Sequence, residues 1–309
     1  MGGVLVGFAI IGFVIAVGYL VGRLHLLGDH AQFVISRLVF FVLSPALLFT
    51  VLGDADVHTL FSSLLAVSAI AAFASCLLFA AIAIFVFKRS IPDATIGSVA
   101  SGYVNANNIG IPVAVYVLGD PAYSAPVILL QLLVLAPITL TILDVTTSGT
   151  VSLGRILLQP VRNPLIIASA LGVVVALTGV QIPAPVMEPF RIIGGAAVPL
   201  VLLAFGMSLA GRKLLEPGSG RRDILLASTI KIAVMPVIAW LVAVAFGITG
   251  EHLFAVVVLA GLPTTQNIFV YAQRYERGVI IARDTILITT IGSVPVLVAV
   301  AALLAPAST

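Results

Sequence analysis

Two polar stretches interrupt an otherwise apolar chain, and both carry residues suited to recognising a small anion. The first is Ser101-Gly-Tyr-Val-Asn-Ala-Asn-Asn-Ile-Gly-Ile-Pro112, the second Leu259-Ala-Gly-Leu-Pro-Thr-Thr-Gln-Asn267. Asn105, Asn107 and Asn108 set three carboxamides in apolar surroundings, where an unpartnered amide costs about 2–7 kcal/mol. They need a freed backbone, water or a polar solute. Gly110 and Pro112 account for the freed backbone, and Ile111-Pro112 is expected to start a helix with its amides exposed, since proline suits a first helical turn. Such a helix start is electropositive and fits an anion. Gly261 and Pro263 repeat the break, with Thr264, Thr265, Gln266 and Asn267 around a second helix start. Gln131 is placed to add a further hydrogen bond. The expected substrate-binding set is therefore Asn105, Asn107, Asn108, Gly110, Ile111, Pro112, Gln131, Pro263, Thr264, Thr265, Gln266 and Asn267.

Ionisable residues within apolar segments are costly and tend to be functional. Lys231, Asp144 and Asp284 are the coupling or charge candidates. The charge topology below puts all three near the cytoplasmic face, where Asp144 and Asp284 would be solvated. Lys231 would attract substrate or balance an acid. Arg37 and Arg191 read as membrane-edge anchors. Cys76 is the single cysteine, so no internal disulfide forms, and it reads as a small core hydrophobe. No cofactor or metal cluster is expected, and proton or sodium coupling stays open. The chain has no Gly-x-x-x-x-Gly-Lys-Ser/Thr phosphate loop, which disfavours a primary pump. Two rivals to a carrier are an anion channel and an intramembrane hydrolase. The latter rests on Gly206-Met-Ser208, and His25, His30, His58 and His252 all fall at loops or membrane edges, away from any such nucleophile.

The elements that must hold these residues are set by composition. Of 309 residues, 61% are hydrophobic and 9% charged, with a mean hydropathy of +1.25; globular chains carry about 25% charged residues. This implies an all-α polytopic membrane protein. Ten spans are expected: Val4–Val21, Phe33–Leu52, Leu60–Phe87, Thr95–Leu118, Ala125–Val145, Pro164–Val180, Ile192–Ala210, Ile224–Phe246, His252–Ala272 and Thr285–Leu304. The first has no Lys or Arg ahead of Arg23 and reads as a retained helix. Net charge is only +3, but its distribution is uneven. Arg23, Lys88, Arg89, Arg155, Arg162, Arg212, Lys213, Arg221, Arg222, Arg274, Arg277 and Arg283 fall in odd-numbered loops. That bias puts those loops in the cytoplasm and both termini outside it. No basic helix with interleaved aromatics points to nucleic acid.

The two halves resemble each other. Arg37 and Pro45 enclose seven residues, as do Arg191 and Pro199, and helix breaks are expected at both prolines. Pro45 and Pro199 lie 154 residues apart, Pro112 and Pro263 lie 151 apart. Five spans per half force opposite orientations, which is an inverted repeat with its broken spans, the fourth and ninth, converging near the bilayer midplane. The first repeat is 1–146, a cytoplasmic linker 147–163, and the second repeat 164–309.

At these residues the sequence resembles the auxin efflux carrier family, within the architecture shared with bile acid sodium symporters. Arg37-Leu-Val-Phe-Phe-Val-Leu-Ser-Pro-Ala-Leu-Leu-Phe49, Asn105-Ala-Asn-Asn-Ile-Gly-Ile-Pro112, Lys231 before Met235-Pro236, and Leu262-Pro263 carry the similarity. The resemblance implies ten helices, with spans 1, 2, 6 and 7 as a scaffold and spans 3–5 and 8–10 as a transport unit. It implies a homodimer, an elevator movement, and Asn105, Asn107, Asn108, Pro112 and Pro263 at the crossing. A small organic carboxylate, auxin-like or a mono- or dicarboxylate, is the implied substrate. A bacterial inner membrane fits as the location, because no long central loop is present.

Overall fold

The computed structural model describes residues 2–28, 30–54, 63–148, 164–210 and 220–305. Among these residues every regular element is helical, and the one isolated bridge of extended backbone joins Val104 to Thr264. Hydrocarbon offers no partner to a bare N–H or C=O, so apolar runs close their hydrogen bonds within the segment as helices. The helices are α1 (Gly2–Arg23), α2 (Ala31–Gly53), α3 (Ser63–Val86), α4 (Ile91–Gly102), α5 (Ala106–Leu118) and α6 (Pro121–Thr147). After these come α7 (Pro164–Thr178), α8 (Ala184–Met207), α9 (Arg221–Ala245), α10 (Gly250–Ala260), α11 (Asn267–Tyr275) and α12 (Val279–Leu304).

Among the described residues six helices, α2, α3, α6, α8, α9 and α12, are 23 to 27 residues long and apolar enough to cross a membrane. At 1.5 Å per residue each reaches about 35–40 Å, beyond the ~30 Å hydrocarbon core. The remaining apolar helices are shorter, and the expected fourth and ninth spans are each divided in two, as α4 with α5 and α10 with α11. Other boundaries shift. The seventh expected span starts at Ala184 rather than Ile192, because Pro183 and Pro185 sit just before and inside its first turn, where a missing N–H costs nothing. The tenth starts at Val279, six residues early, which places Asp284 inside the helix. Residues 60–62 of the third span, His58, residues 149–163 of the linker, and Arg212 and Lys213 lie outside the described residues.

The helix continues through Pro45 but is interrupted at Ala196, three residues ahead of Pro199. Ahead of Pro45 the helix widens to i→i+5 bonding over Val39–Leu43, then resumes over Ser44–Gly53. The same widened turn, ending two residues before a proline, precedes Pro112 at Ala106–Gly110, Pro137 at Gln131–Leu135 and Pro236 at Ile230–Val234. Proline has no N–H and its ring crowds the carbonyl four residues back, and the wide turn gives the displaced carbonyls other partners. Near Pro199, α8 kinks at Ala196 and restarts at Ala197, so the proline falls in a first turn.

Packing sorts the helices into two groups. Helix α1 lies along Ala197–Leu209 of α8, and α7 and the first half of α8 lie on Ser44–Gly53 of α2. In the other group α3 packs on α4 and on Met235–Ala245, α10 packs on α9 and α12, and α4 packs on α6. The groups meet where α1 and Ala197–Leu209 lie against α5. Close approach within the first group needs glycine: a Cβ on Gly206 would fall on the Ile15 carbonyl oxygen, and one on Gly18 on that of Leu203.

Polar ties fix the second group at one end. Arg89 forks onto the buried Asp223 of α9, with Nε 3.0 and 3.1 Å from the two carboxylate oxygens and Nη2 2.5 Å from Oδ2. This bonding holds the Arg89 guanidinium above its ordinary pKa. Ser90 caps α4, and Asp93 accepts from the Ser90 hydroxyl at 2.6 Å and from the Gly278 N–H at 3.1 Å, joining the starts of α4 and α12. Arg191 meets Asp54 at 3.4 Å with both side chains about half exposed, a surface pair worth about 0–1 kcal/mol.

Candidate functional site

The two broken segments cross and hydrogen-bond to each other. After Gly102 the chain leaves the helix, with Tyr103 extended at φ −97°, ψ 108°. The Asn105 N–H donates to the Pro263 carbonyl at 2.7 Å, and the Thr265 N–H donates to the Tyr103 carbonyl at 3.3 Å. Each break thus supplies the partners the other lost, which is what lets irregular backbone persist inside a membrane-spanning bundle. Gly110 permits the approach: a Cβ there would stand 3.1 Å from the Leu262 side chain.

The first half-helix begins earlier than Ile111-Pro112. It starts at Ala106, and Asn105 is its cap, Oδ1 accepting from the Asn108 N–H at 3.1 Å. An asparagine in that position outcompetes a proline signal seven residues on, because it satisfies an amide that the helix leaves open. The second half-helix starts at Asn267.

The crossing has a packed side and an open side. On the packed side Thr264 is fully buried; its hydroxyl donates to the Ala100 carbonyl at 2.6 Å, and its N–H donates to Thr289 Oγ1 at 3.1 Å. Pro263, Gly110, Ile111 and Pro112 are also buried and do not line the cavity. Of the expected set, these five shape the crossing and do not face a solute. Lys231 is on the packed side too. It is fully buried, with Nζ 2.7 Å from the Ala260 carbonyl and 3.2 Å from Met235 Sδ. It lies in the widened turn ahead of Pro236, with its amine inside the bundle.

On the open side lies a cavity of about 540 Å³. Asn105, Asn107 and Asn108 line it from one break, Thr265, Gln266 and Asn267 from the other, and Gln131 from α6. Asn107 Nδ2 donates to Asn108 Oδ1 at 3.0 Å. Asn105 Nδ2 and Asn107 Oδ1 are buried without a hydrogen-bond partner among the described residues. The cap bond fixes which way the Asn105 amide points, so its NH₂ is the group left open. Arg37, read from sequence as an anchor, also lines the cavity, stacked 5.6 and 5.5 Å from the centroids of Phe33 and Phe41. Sequence reasoning passed over Tyr103 and Phe205, which complete the wall from α8 and the crossing itself. The aromatic at the helix exit, Tyr103, was the available signal.

The acidic candidates stand elsewhere. Asp284, expected near solvent, is fully buried in α12, its Oδ1 accepting from Arg283 Nε at 2.7 Å; the early start of α12 is the cause. Asp144 is half-buried and accepts from the Tyr275 hydroxyl at 2.6 Å, tying α6 to α11. Gly206-Met-Ser208 runs inside the helix Ala197–Leu209, and Gly206 serves contact with α1, so this stretch has no strand-to-helix elbow for a nucleophile. Cys76 is a free thiol in α3, and its backbone carbonyl accepts from Ser98 Oγ.

Membrane-length apolar helices around a polar, hydrogen-bonded crossing define a multi-pass membrane protein with an internal solute-sized site. The family model described as "Membrane transport protein" (Mem_trans) matches residues 4–300, and the chain belongs to this family, that of the auxin efflux carriers. It is 28% identical over 290 residues, 91% of this chain and 89% of the other, to a Rhizobium meliloti (strain 1021) protein named "Putative malonate transporter". It is 23% identical to the Escherichia coli (strain K12) "Uncharacterized transporter YfdV", over 85% of each chain. An "Uncharacterized transporter" of Methanothermobacter thermautotrophicus is 26% identical over 90% of each.

Proposed function

We infer that this protein is a secondary carrier for small organic carboxylate anions. The observation that carries the reading is the crossing itself: two broken helices joined through Asn105 and Pro263, with carboxamides from both breaks facing one cavity. The open Asn105 NH₂ is a donor awaiting an oxygen, α5 starts beside it with its positive end, and Arg37 adds a full charge to the same wall. Together these favour a carboxylate over a neutral solute. The name of the Rhizobium relative makes malonate the first substrate to test.

The arrangement further fits ten crossings in two inverted five-helix repeats, with both termini outside the cytoplasm. Helices of spans 1, 2, 6 and 7 would form a scaffold and dimer contact, and the group carrying the crossing would move past it as an elevator. The separation of packing into two groups that meet along α5 supports this division. Saturable flux distinguishes a carrier from a channel.

The test is counterflow of labelled malonate and a panel of monocarboxylates in proteoliposomes. Saturable exchange is expected, reduced at least tenfold in Asn107→Ala and in Pro263→Ala at equal membrane insertion. Flux unchanged in both variants, or flux linear in concentration, would overturn the reading.

A further inference from the structure

The least conventional group in the bundle is Lys231, an amine-bearing side chain with no measurable exposure and no carboxylate partner among the described residues. A buried charge without a counter-charge is expensive and persists where the fold uses it. Its surroundings show what for. Ala260 is the last residue of α10, and the chain beyond it is not helical until Asn267. The final carbonyls of a helix have no intrahelical partner and carry its negative end, and breaking a helix inside a membrane creates that end where no water waits. Nζ stands 2.7 Å from the Ala260 oxygen and 3.2 Å from the Met235 thioether. The carbonyl end of a broken helix is where carriers otherwise coordinate a cation, and here the Lys231 amine stands at it.

The position is also close to the solute cavity. A void of about 10 Å³ is bounded by Met235 and Ala260, the two acceptors of Lys231, and equally by Val104 and Gln131. Val104 and Gln131 line the large cavity as well. Residues that line the large cavity therefore also bound the Lys231 environment. In such a low-dielectric wall charges act on one another far more strongly than in water.

We propose that Lys231 is a built-in cation of the crossing: its tethered ammonium neutralises the carbonyl end of the broken helix α10 and supplies, from behind the site, the positive charge that a carrier would otherwise take from a bound sodium or potassium ion. Anion binding then needs no alkali cation. The inference rests on the carboxylate-carrier reading above.

The experiment uses purified full-length protein in proteoliposomes, with malonate as probe. Wild-type binding and counterflow are measured in sodium, potassium and choline media and are expected to agree within twofold. A requirement for sodium or potassium in a protein that does move malonate would overturn the inference alone. Absence of any malonate binding or exchange would instead sink the carrier reading. Lys231→Met keeps the volume and removes the charge, and is expected to weaken malonate binding at least tenfold while remaining monodisperse. Lys231→Ala is expected to recover binding on addition of methylammonium or ethylammonium, and not on addition of ethanol. Unchanged affinity in Lys231→Met, or equal recovery with ethanol, would show a packing role and overturn the proposal. Should both variants fail to fold, the cation dependence of the wild type still decides.

Discussion

The Asn105 N–H donates to the Pro263 carbonyl over 2.7 Å, joining two residues 158 positions apart in sequence at the point where both of their helices are interrupted. Asn105 also caps α5 through its side chain, and the buried NH₂ of this cavity-lining residue has no hydrogen-bond partner among the described residues. One residue therefore closes the crossing and starts the next helix, and under the proposed function its unpartnered NH₂ is the donor to a carboxylate.

These roles separate by substitution. Asn105→Ser keeps an N-capping oxygen and removes the amide donor, so thermal stability should change by only a few tenths of a kcal/mol while carboxylate affinity falls about tenfold, or about 1.4 kcal/mol. Asn105→Ala loses the cap as well and should cost about 1 kcal/mol of stability. Thermal unfolding in detergent beside equilibrium binding reads both quantities.

Thr264 should behave in the opposite way. Its hydroxyl reaches Ala100 and not the cavity, so Thr264→Val leaves a buried carbonyl unpartnered at a cost of about 1–3 kcal/mol. Once the variant is folded, malonate affinity should stay within about threefold of wild type, about 0.7 kcal/mol. A Tm shift with little change in binding would bear this out.

Much of this site was legible in the sequence, and the misses share a cause. Gly and Pro in matched apolar segments marked both breaks, because backbone freed inside a membrane needs a reason. Composition gave an all-helical membrane chain for the same reason. Which face each polar residue takes was not legible: Thr264 and Thr265 are neighbours, yet extended backbone alternates sides, so one locks the crossing and the other lines the cavity. Asp284 is expected to be solvated because hydropathy counts residues along a span and does not report which face of a helix a residue takes; the early start of α12 sets it inside the helix, where it is buried. Of the two prolines expected to break helices, Pro45 does not, because the widened turn before it relieves the proline without ending the helix, whereas near Pro199 the helix does stop, at Ala196, and starts again at Ala197.

The contact between α1 and α8 gives a prediction free of the site. Gly206→Ala drives a methyl into the Ile15 carbonyl, which is rigid backbone, and should destabilise by about 1–3 kcal/mol or more through overpacking. Gly12→Ala meets nothing within 4 Å and should be neutral or stabilising by up to about 1 kcal/mol, from helix propensity. Unfolding temperatures of the pair, measured side by side, check the contrast.

The Arg89–Asp223 fork should matter through its buried partner. Asp223 is 1% exposed and Arg89 40%, so Asp223→Ala strands a cation that can turn to solvent. The loss should be about 1–2 kcal/mol, below the 3–5 kcal/mol of fully buried pairs. Arg89→Ala leaves the carboxylate buried and should cost more. A double-mutant cycle on thermal stability measures the coupling.

The central claim is that carboxamides from two crossed breaks hold an anion, and direct binding tests it most closely. Equilibrium binding of malonate and of its uncharged diamide to the purified protein, each with wild type and Asn105→Ser, is the measurement. The account predicts saturable malonate binding, no comparable binding of the diamide, and about tenfold weaker malonate binding in the variant. Equal binding of the two compounds, or a variant indistinguishable from wild type, would contradict it.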